Sequence, residues 1–585
     1  MLNEKYIKVL YIDLETEKIR IEQREDLLPF LGGVGIASVL FKENVRHEFG
    51  PAAPQQPIVF AIGAGAYIFP VLTKTVAMFL SPLTGELGES YAGGRMAMSM
   101  LMAGYDALVI TGKAKKHSYL AISTNSVNVR DARAMWGLPV SKTGGTVRER
   151  EQAESAGKRS IIRIGPAGEN GVAFACVNVD TFRHFGRMGL GACMGSKNLK
   201  AISIHGNRSI PILNEKQYFK VYRDIYKRCT STDFMSKYHD VGTPINILPL
   251  NNSGGLPSLN MRANKFEHAD QISGEAFAEK NLVRKMSCTG CPVGCIHIGM
   301  YRNEFDKGHE YEAVSVGYDY ELIYALGTFI GVKTTDQILS IIEEVEEHGM
   351  DAMSTGVCLG WATEALEKGF ISLNDTLVDL KFGDSKGYIN AIDHLAAGTN
   401  KFYKALGRGC RYAAKKYGGE DFAMNIAGNE MSGYHTGYGS LVGAAVGARH
   451  SHLCNGGYSL DQGKNEFNED EFVEKLFNEE SERCMTNSLI MCLFARKIYD
   501  RQTILDALNS IGWNLTNDDL SAIGKRIYQT KLQIKNMLGF KQNDVKLPKR
   551  FFETPSLNGM LKEEVAYRMI KKYSEKTEAL LSETL

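Results

Sequence analysis

The chain has 585 residues, which is too long for one hydrophobic core and predicts two to four domains. Its 68 basic side chains balance its 67 acidic ones, so the charge disfavours a nucleic-acid partner, which usually requires a basic excess. Residues 1–23 carry charges every few positions and contain no apolar run. We therefore expect a cytoplasmic protein without a membrane segment.

Strand patterns dominate the first part of the chain. Residues 5–22 alternate around a turn at Glu15–Thr16, which predicts a β-hairpin. A helix is predicted at about 94–103. Further strands are predicted at residues 57–62, 105–111, 119–129, 160–165, 172–179 and 199–205.

Helical spacing of apolar residues replaces this pattern from about residue 210. The fold class predicted is a multidomain α+β protein, with a β-rich N-terminal domain followed by two mainly α-helical domains. We place these domains at residues 1–207, 208–418 and 419–585. The most regular helical patterns lie at residues 335–348, 391–406, 469–485 and 502–510.

Three cysteines form the sharpest local motif. Cys288, Cys291 and Cys295 lie within eight residues, and the Gly and Pro residues between them allow a loop that wraps a metal centre. Structural zinc usually takes paired C-x2-C motifs, and no second pair is present, so the spacing favours an iron–sulfur cluster over zinc. Such a cluster takes a fourth thiolate. The eight other cysteines include the candidates, and spacing does not choose among them.

Two glycine-rich loops, at residues 165–170 and 186–200, follow strand patterns and carry basic side chains nearby. Exposed backbone N–H groups and these cations suit a phosphorylated cofactor, although tight turns with a solvated basic face explain the pattern equally well. The order of residues does not match a Walker A loop.

Several segments taken in order resemble the aldehyde:ferredoxin oxidoreductase family. The matching stretches lie at residues 81–85, 103–107, 164–170, 186–202, 288–295, 310–312, 349–356 and 547–551. The resemblance implies tungsten or molybdenum held by the dithiolene sulfurs of two pterins above a β-rich base. It also implies one [4Fe–4S] cluster, with Cys492 as the fourth ligand after Cys288, Cys291 and Cys295, and Mg²⁺ bridging the pterin phosphates.

The resemblance also assigns cofactor-binding positions, some of which differ from the family pattern. Lys74 stands where the family often has Arg, which keeps the charge but loses the bidentate fork for phosphate. Asn487 brings a hydrogen-bonding amide without charge. The residues implied to bind the pterins are Lys74, Gly93, Arg183, Gly186, Arg187, Glu346, Met350, Asp351, Asn487 and Leu493.

Two further positions match a carboxylate and an imidazole near the family's metal, namely Glu312 and His452. By themselves, a Glu in a polar stretch is usually a solvated side chain and a lone His is usually structural. In the catalytic interpretation, His452 donates a hydrogen bond to the substrate carbonyl and Glu312 takes a proton from water or the tetrahedral adduct. The run Met431–Ser440 is a candidate for the substrate pocket, with a plain glycine-rich loop as the alternative.

The predicted function is therefore oxidation of an aldehyde to a carboxylic acid, or the reverse, with electrons passed to ferredoxin or a ferredoxin-like subunit. We expect a homodimer or hetero-oligomer. An aryl-CoA reductase or other tungsten oxidoreductase on the same scaffold is an alternative. A non-catalytic iron–sulfur electron-transfer subunit is an alternative of another class.

Overall fold

The computed structural model describes residues 5–151, 156–212, 214–306, 310–463 and 467–583. Its first sheet is built from short runs of buried aliphatic and β-branched residues separated by turns. The strands are β1 (Ile7–Asp13), β2 (Lys18–Arg24), β3 (Ile58–Ile62), β4 (Thr75–Leu80), β5 (Leu87–Ala92) and β6 (Ala107–Thr111). Their spatial order is β2-β1-β6-β3-β4-β5, with β1 and β6 parallel and the other neighbours antiparallel.

A second six-stranded sheet follows in the chain. It consists of β7 (Ser118–Ile122), β8 (Val127–Asp131), β9 (Arg159–Arg163), β10 (Val177–Val179), β11 (Arg183–Phe185) and β12 (Leu199–His205). Their order is β11-β10-β9-β12-β7-β8, so β11 is an edge strand, as β5 is in the first sheet. The two edge strands pack against each other, which brings Gly93 beside Arg183.

Five helices cover or connect these sheets, and eighteen more follow in the rest of the described chain. The first five are α1 (Gly33–Asn44), α2 (Met96–Ala103), α3 (Val140–Arg150), α4 (Pro166–Glu169) and α5 (Leu190–Ser196). The later ones are α6 (Glu215–Ser231), α7 (Asp233–Asp240), α8 (Ile247–Ser253), α9 (Gly274–Lys280), α10 (Tyr320–Leu326), α11 (Thr335–His348), α12 (Ala352–Glu367), α13 (Leu373–Thr376), α14 (Ser385–Ala397), α15 (Lys401–Leu406), α16 (Cys410–Tyr417), α17 (Tyr438–Val446), α18 (Gly457–Asp461), α19 (Glu469–Ser488), α20 (Arg501–Ser510), α21 (Asn517–Met537), α22 (Arg550–Glu553) and α23 (Glu563–Ser582).

The later part of the chain also contains five strands that the sequence did not predict. A three-stranded antiparallel sheet has the order β13 (Leu282–Met286), β14 (Ile296–Asp306), β15 (Glu310–Tyr318). A short pair joins β16 (Asn425–Ile426) to β17 (Asn429–Glu430). The loop between β13 and β14 is the Cys288–Cys295 segment.

Two large hydrophobic cores organise the molecule. The first contains the sheet residues, such as Phe60, together with C-terminal residues such as Leu508 and Ile527. The second contains Trp361 and most of the buried residues between 247 and 477. Helix α19 belongs to both, because Leu476 lies in the second core and Met485 in the first. The C-terminal helices therefore return to the β-rich part of the chain.

The fold class is confirmed: strands dominate residues 7–205 and helices dominate the remainder. The predicted hairpin is β1–β2, and α11 matches its predicted range because the Thr334 side chain caps its start and Gly349 ends it at φ 72°. The segment predicted as one helix at 391–406 is two helices, because Gly398 adopts φ 59° between them. The domain boundaries at 207/208 and 418/419 stay a prediction. None of the described helices is long and apolar enough to cross a membrane.

Candidate functional site

Four cysteine side chains converge beside the two edge strands. The Thr289 N–H donates to the Gly94 carbonyl at 3.1 Å, which ties the cysteine loop to the end of β5. The segment at Val71 joins the loop to Cys492, since the Val71 N–H donates to Gly290 O and the Cys492 N–H donates to Val71 O, both at 3.2 Å. These backbone bonds hold the distant cysteine against the three-cysteine loop.

The thiols influence one another electrostatically. Burial and then the neighbouring Cys492 and Cys288 thiols raise the pKa of Cys295 to about 12. Burial, Cys295, Cys492 and Cys288 likewise raise the pKa of Cys291. A Cβ at Gly93 would lie 2.4 Å from Cys288 Sγ, so only glycine fits against the thiols here. The remaining seven cysteines are all buried side chains. Four convergent sulfur donors of this kind fit an iron–sulfur cluster.

A large cavity of about 300 Å³, partly open to solvent, separates the sheets from the helical part. The β-rich part contributes one wall, whose lining includes Lys74, Glu89, Tyr91, Cys176, Arg183, His184, Gly186, Arg187 and Met188. The helical part contributes the other wall, with Asp319, Glu321, Leu322, Val345, Glu346, Met350, Asp351, Asn429, Arg449, Ser451 and His452 among its residues. The many polar groups of both walls suit a polar cofactor.

Arginine side chains link this cavity to the cysteines and to the helical wall. Burial would lower the pKa of Arg183, but the Cys288 and Cys295 thiols and the Asp319 carboxylate raise it. Arg183 Nε has no hydrogen-bond partner among the described residues, so a donor is available to an anionic ligand. Arg187 Nε lies 3.2 Å from Asp351 Oδ2. Asp351 in turn caps α12 by accepting from two backbone N–H groups.

Glu346 and His184 face each other across the cavity. Glu346 Oε1 lies 3.6 Å from His184 Nε2. Burial raises the pKa of Glu346 to about 8 and lowers the pKa of His184 to about 3. The protein therefore holds a carboxylic acid and a neutral imidazole here at neutral pH. His184 Nε2 has no hydrogen-bond partner within the described part of the chain, so it can bond to a ligand.

His452 and Glu321 form a second acid–imidazole pair in the lining of the same cavity. His452 Nε2 is 3.2 Å from Glu321 Oε1, without the alignment of a hydrogen bond. The Gly433 N–H donates to Glu321 Oε2 at 3.0 Å and fixes the carboxyl group. Burial raises the pKa of Glu321 to about 8, while burial and the charges of Arg187 and Arg449 lower the pKa of His452. A group with a pKa near the working pH can exchange protons efficiently.

A smaller pocket of about 20 Å³, room for about one water molecule, also has His452 in its lining. Its lining includes five residues of the Met431–Ser440 run, namely Met431, Ser432, Tyr434, His435 and Ser440. Tyr434 also packs on the His452 ring, with centroids 5.3 Å apart. The opposite side contains the apolar side chains Leu441, Ala444 and Phe551. Arg187, Glu430 and His450 also line it, so the pocket beside His452 is small and partly polar.

Two family models match almost the whole chain. The model described as "Aldehyde ferredoxin oxidoreductase, N-terminal domain" matches residues 9–206, and "Aldehyde ferredoxin oxidoreductase, domains 2 & 3" matches residues 220–577. The chain belongs to the aldehyde ferredoxin oxidoreductase family. It is therefore an enzyme, and the alternative of a non-catalytic electron-transfer subunit is wrong.

Individual relatives agree with this assignment. The tungsten-containing aldehyde ferredoxin oxidoreductase of Pyrococcus furiosus is 31% identical over 94% of this chain and 92% of its own. The corresponding Thermococcus kodakarensis protein is 30% identical with the same coverage. An aliphatic sulfonate oxidoreductase, WOR-like subunit, of Pyrococcus furiosus is 28% identical over 93% of this chain and 89% of its own.

A solved structure shares the fold. The active-site complex of benzoyl coenzyme A reductase with 1,5-dienoyl-CoA superposes with a TM-score of 0.83 and 18% identity, over 98% of this chain and 94% of that one. The fold is therefore shared with an enzyme whose name describes different chemistry.

The structure does not bring the predicted catalytic residue Glu312 to the cavity. Glu312 lies exposed on β15 and accepts a hydrogen bond from Asn303 of the paired strand at 3.4 Å. The pattern Glu310-Tyr311-Glu312 recurs nine residues later as Asp319-Tyr320-Glu321, at the start of α10. The first copy faces solvent because it lies in the outer half of the β14–β15 hairpin. Glu321 is the buried carboxyl group beside His452.

Most of the predicted cofactor residues line the cavity, but three do not. Lys74, Arg183, Gly186, Arg187, Glu346, Met350 and Asp351 are in its walls. Gly93 lies against Cys288 Sγ. Asn487 lies near the end of α19, where its carbonyl packs against Gly33, and Leu493 follows Cys492 in a short 3-10 helix. The sequence missed His184 and Arg449, although Arg449 precedes His452 by only three residues.

Proposed function

We propose that this chain oxidises an aldehyde to a carboxylic acid, or catalyses the reverse, at tungsten or molybdenum held by two pterins. The names of the relatives support tungsten and aldehyde as the metal and substrate class. The observation that carries the proposal is the pair of His452 and Glu321, 3.2 Å apart, at the junction of the large cavity and the inner pocket.

The cavity walls supply the groups that would bind the pterins. Lys74, Arg183 and Arg187 would bind the pterin phosphates, and Mg²⁺ bridging those phosphates would neutralise further charge. Glu346, Met350 and Asp351 would hold the pterin edges from the helical wall. Asn487 and Leu493 stay predictions for the second pterin. When bound, the metal and pterins supply the two-electron redox chemistry.

The side chains of the chain provide the proton chemistry. Oxidation of an aldehyde consumes one water and releases two protons and two electrons. His452 would donate a hydrogen bond to the aldehyde oxygen and stabilise the charge that develops there. Glu321, once ionised, would accept a proton from water or from the tetrahedral adduct. Leu441, Ala444 and Phe551 of the inner pocket would limit the access of bulk water to this pair.

The electrons would leave through a [4Fe–4S] cluster held by Cys288, Cys291, Cys295 and Cys492. Arg183 interacts electrostatically with both the cysteine group and the cavity. Its neighbours include the Cys288 and Cys295 thiols and the Asp319 carboxylate of the cavity. The cluster would therefore adjoin the pterin site and pass single electrons to ferredoxin or a ferredoxin-like subunit.

The test compares two glutamates of the same local sequence pattern. Glu321→Gln should lower kcat for aldehyde oxidation with a viologen dye by about 10²–10⁴-fold, because it removes the proton acceptor. The tungsten and iron contents should stay at wild-type levels. Glu312→Gln is the matched control and should retain full turnover.

Two results would contradict the proposal. Full activity of Glu321→Gln, or loss of activity in Glu312→Gln instead, would reject the assigned acid–base role. A chain that reduces benzoyl-CoA and leaves benzaldehyde and acetaldehyde unchanged would favour the aryl-CoA reductase alternative.

A further inference from the structure

Three cations gather around one aromatic ring on the surface. Lys237 Nζ lies 5.2 Å, Arg496 Cζ 5.5 Å and Lys497 Nζ 4.7 Å from the centroid of the Phe234 ring. Burial and then the charges of Arg496 and Lys497 lower the pKa of Lys237. Within the described ranges, no carboxylate forms an ion pair with any of the three. Like charges held together in this way destabilise the isolated protein, and an acidic partner would offset that cost.

This cation group adjoins Cys492. The Phe234 ring packs edge-on against Tyr238, with centroids 5.6 Å apart. Tyr238 stacks on Phe494 at 4.2 Å, and Phe494 follows Cys492 by two residues. The cysteine is itself partly exposed. The cations therefore lie close to the segment that carries Cys492.

Helix α6, which contacts α7, carries a row of aromatic side chains. Tyr218, Phe219, Tyr222 and Tyr226 form a row with successive centroids 5.2–6.2 Å apart. Phe219 is 48% exposed and Tyr226 is 45% exposed. The Tyr218 hydroxyl donates to the Ile68 carbonyl at 2.8 Å, in the segment that bonds to the cysteine loop. Exposed aromatic groups next to cations are typical of protein interfaces.

The charge of this surface differs from that of the whole chain. Helices α6 and α7 together with residues 493–497 contain eight Lys and Arg residues against four Asp and Glu residues. The whole chain has 68 against 67. The positive charge is therefore concentrated where the cysteines approach the surface, and it complements an acidic partner.

We propose that the surface formed by α6, α7, Arg496 and Lys497, the docking surface, binds an acidic ferredoxin-like electron carrier. This rests on the proposed function, in which each aldehyde oxidised yields two electrons. Two one-electron carriers in their oxidised form would be reduced in turn at this surface, one electron each. The cations would steer and orient the carrier, and the aromatic row would supply the apolar contact.

The first test reverses two charges. The double variant Arg496→Glu/Lys497→Glu should bind an oxidised acidic [4Fe–4S] ferredoxin at least about tenfold more weakly than the wild type at low ionic strength, measured by calorimetry. The control Lys415→Glu/Lys416→Glu changes the net charge equally on exposed helix α16 and should bind within about twofold of the wild type. The affinity of the wild type should fall with added salt more steeply than that of the first variant.

A second pair of variants tests the aromatic row. Phe219→Ser should weaken ferredoxin binding about fivefold, mainly through faster dissociation. Phe49→Ser, which removes a 43%-exposed Phe from the loop after α1, should leave binding unchanged. Iron content and the viologen-linked rate should remain at wild-type values in all four proteins, because none of these residues lies in the cavity.

Several outcomes would overturn the docking surface. The first is failure of the wild type to bind the ferredoxin, and the second is an equal loss of ferredoxin affinity in the two charge-reversal variants. The third is that a single-stranded oligonucleotide binds to the same residues more tightly than the ferredoxin does. The proposed function fails separately if viologen-linked aldehyde oxidation is absent. In that case, loss of ferredoxin binding in Arg496→Glu/Lys497→Glu but not in Lys415→Glu/Lys416→Glu would still support the docking surface.

Discussion

The two walls of the central cavity differ in the kind of charge they present. The β-rich wall provides the basic side chains Lys74, Arg183 and Arg187. The helical wall provides carboxyl groups, and burial raises the pKa of two of them, Glu321 and Glu346, to about 8. Fixed cations suit the binding of an anionic cofactor, whereas groups that titrate near neutral pH suit proton transfer. The cations proposed to bind phosphate lie on the β-rich wall, and the proposed proton acceptor Glu321 lies on the helical wall.

One glutamate of the β-rich wall sharpens this contrast. Glu89 is fully buried, yet Lys531 and Arg449 lower its pKa. Lys531 Nζ lies 2.6 Å and Arg449 Nε 3.8 Å from its carboxylate oxygens. Glu89 is therefore a permanent charge that holds two buried cations, whereas Glu321 is a neutral acid below pH 8. Burial alone does not decide the charge state; the neighbouring cations do.

The largest expected effect comes from removing the thiol that links the two parts of the chain. Cys492→Ala should abolish the low-temperature EPR signal of the reduced cluster, because a three-cysteine loop cannot complete the four-thiolate set. Cys484→Ala, a buried cysteine of α19, should keep the signal and lose only about 1 kcal/mol of stability. An unchanged iron content in Cys492→Ala would show that another residue completes the site.

A smaller effect should separate the two buried glutamates by stability. Glu89→Gln leaves Lys531 and Arg449 without a counter-charge and should lower the free energy of unfolding by about 3–5 kcal/mol. Glu321→Gln replaces a neutral acid by a neutral amide of the same shape and should cost less than about 1 kcal/mol. Thermal unfolding of both variants would check this. Equal thermal unfolding midpoints for Glu89→Gln and Glu321→Gln would show that the two glutamates do not differ in charge state.

The smallest expected effect is the pH dependence of turnover. Below pH 8 Glu321 is protonated and cannot accept a proton, so kcat should rise about tenfold per pH unit up to about pH 8 and then level off. Glu346→Gln should keep this inflection, although Glu346 has a similar pKa. Glu321→Gln should lose it. A kcat profile without any inflection near pH 8 would reject Glu321 as the proton acceptor.

Local patterns predicted the elements whose stability is local. The range of α11 followed from its apolar spacing, its Thr334 cap and its terminal Gly349. The β1–β2 hairpin followed from alternation around a turn. Strands β4 and β5 were missed. All their residues except Tyr91 are buried, so they show no alternation, and the neighbouring strands and the helices α1, α5 and α21 that pack on them stabilise them.

The sequence by itself determined the three-cysteine motif, the order of β-rich and helical parts and the family resemblance. Each depends on short residue spacings or on the order of short motifs along the chain. The tertiary structure decided which residues meet. Spacing left eight candidates for the fourth cysteine, and the backbone bonds through Val71 place Cys492 against the loop. Likewise, residues 310–312 and 319–321 share the same acidic–Tyr–Glu pattern. Only the packing of α10 against the cavity buries Glu321, whereas Glu312 stays exposed to solvent. Charge state and proximity depend on contacts distant in sequence, which no local pattern contains.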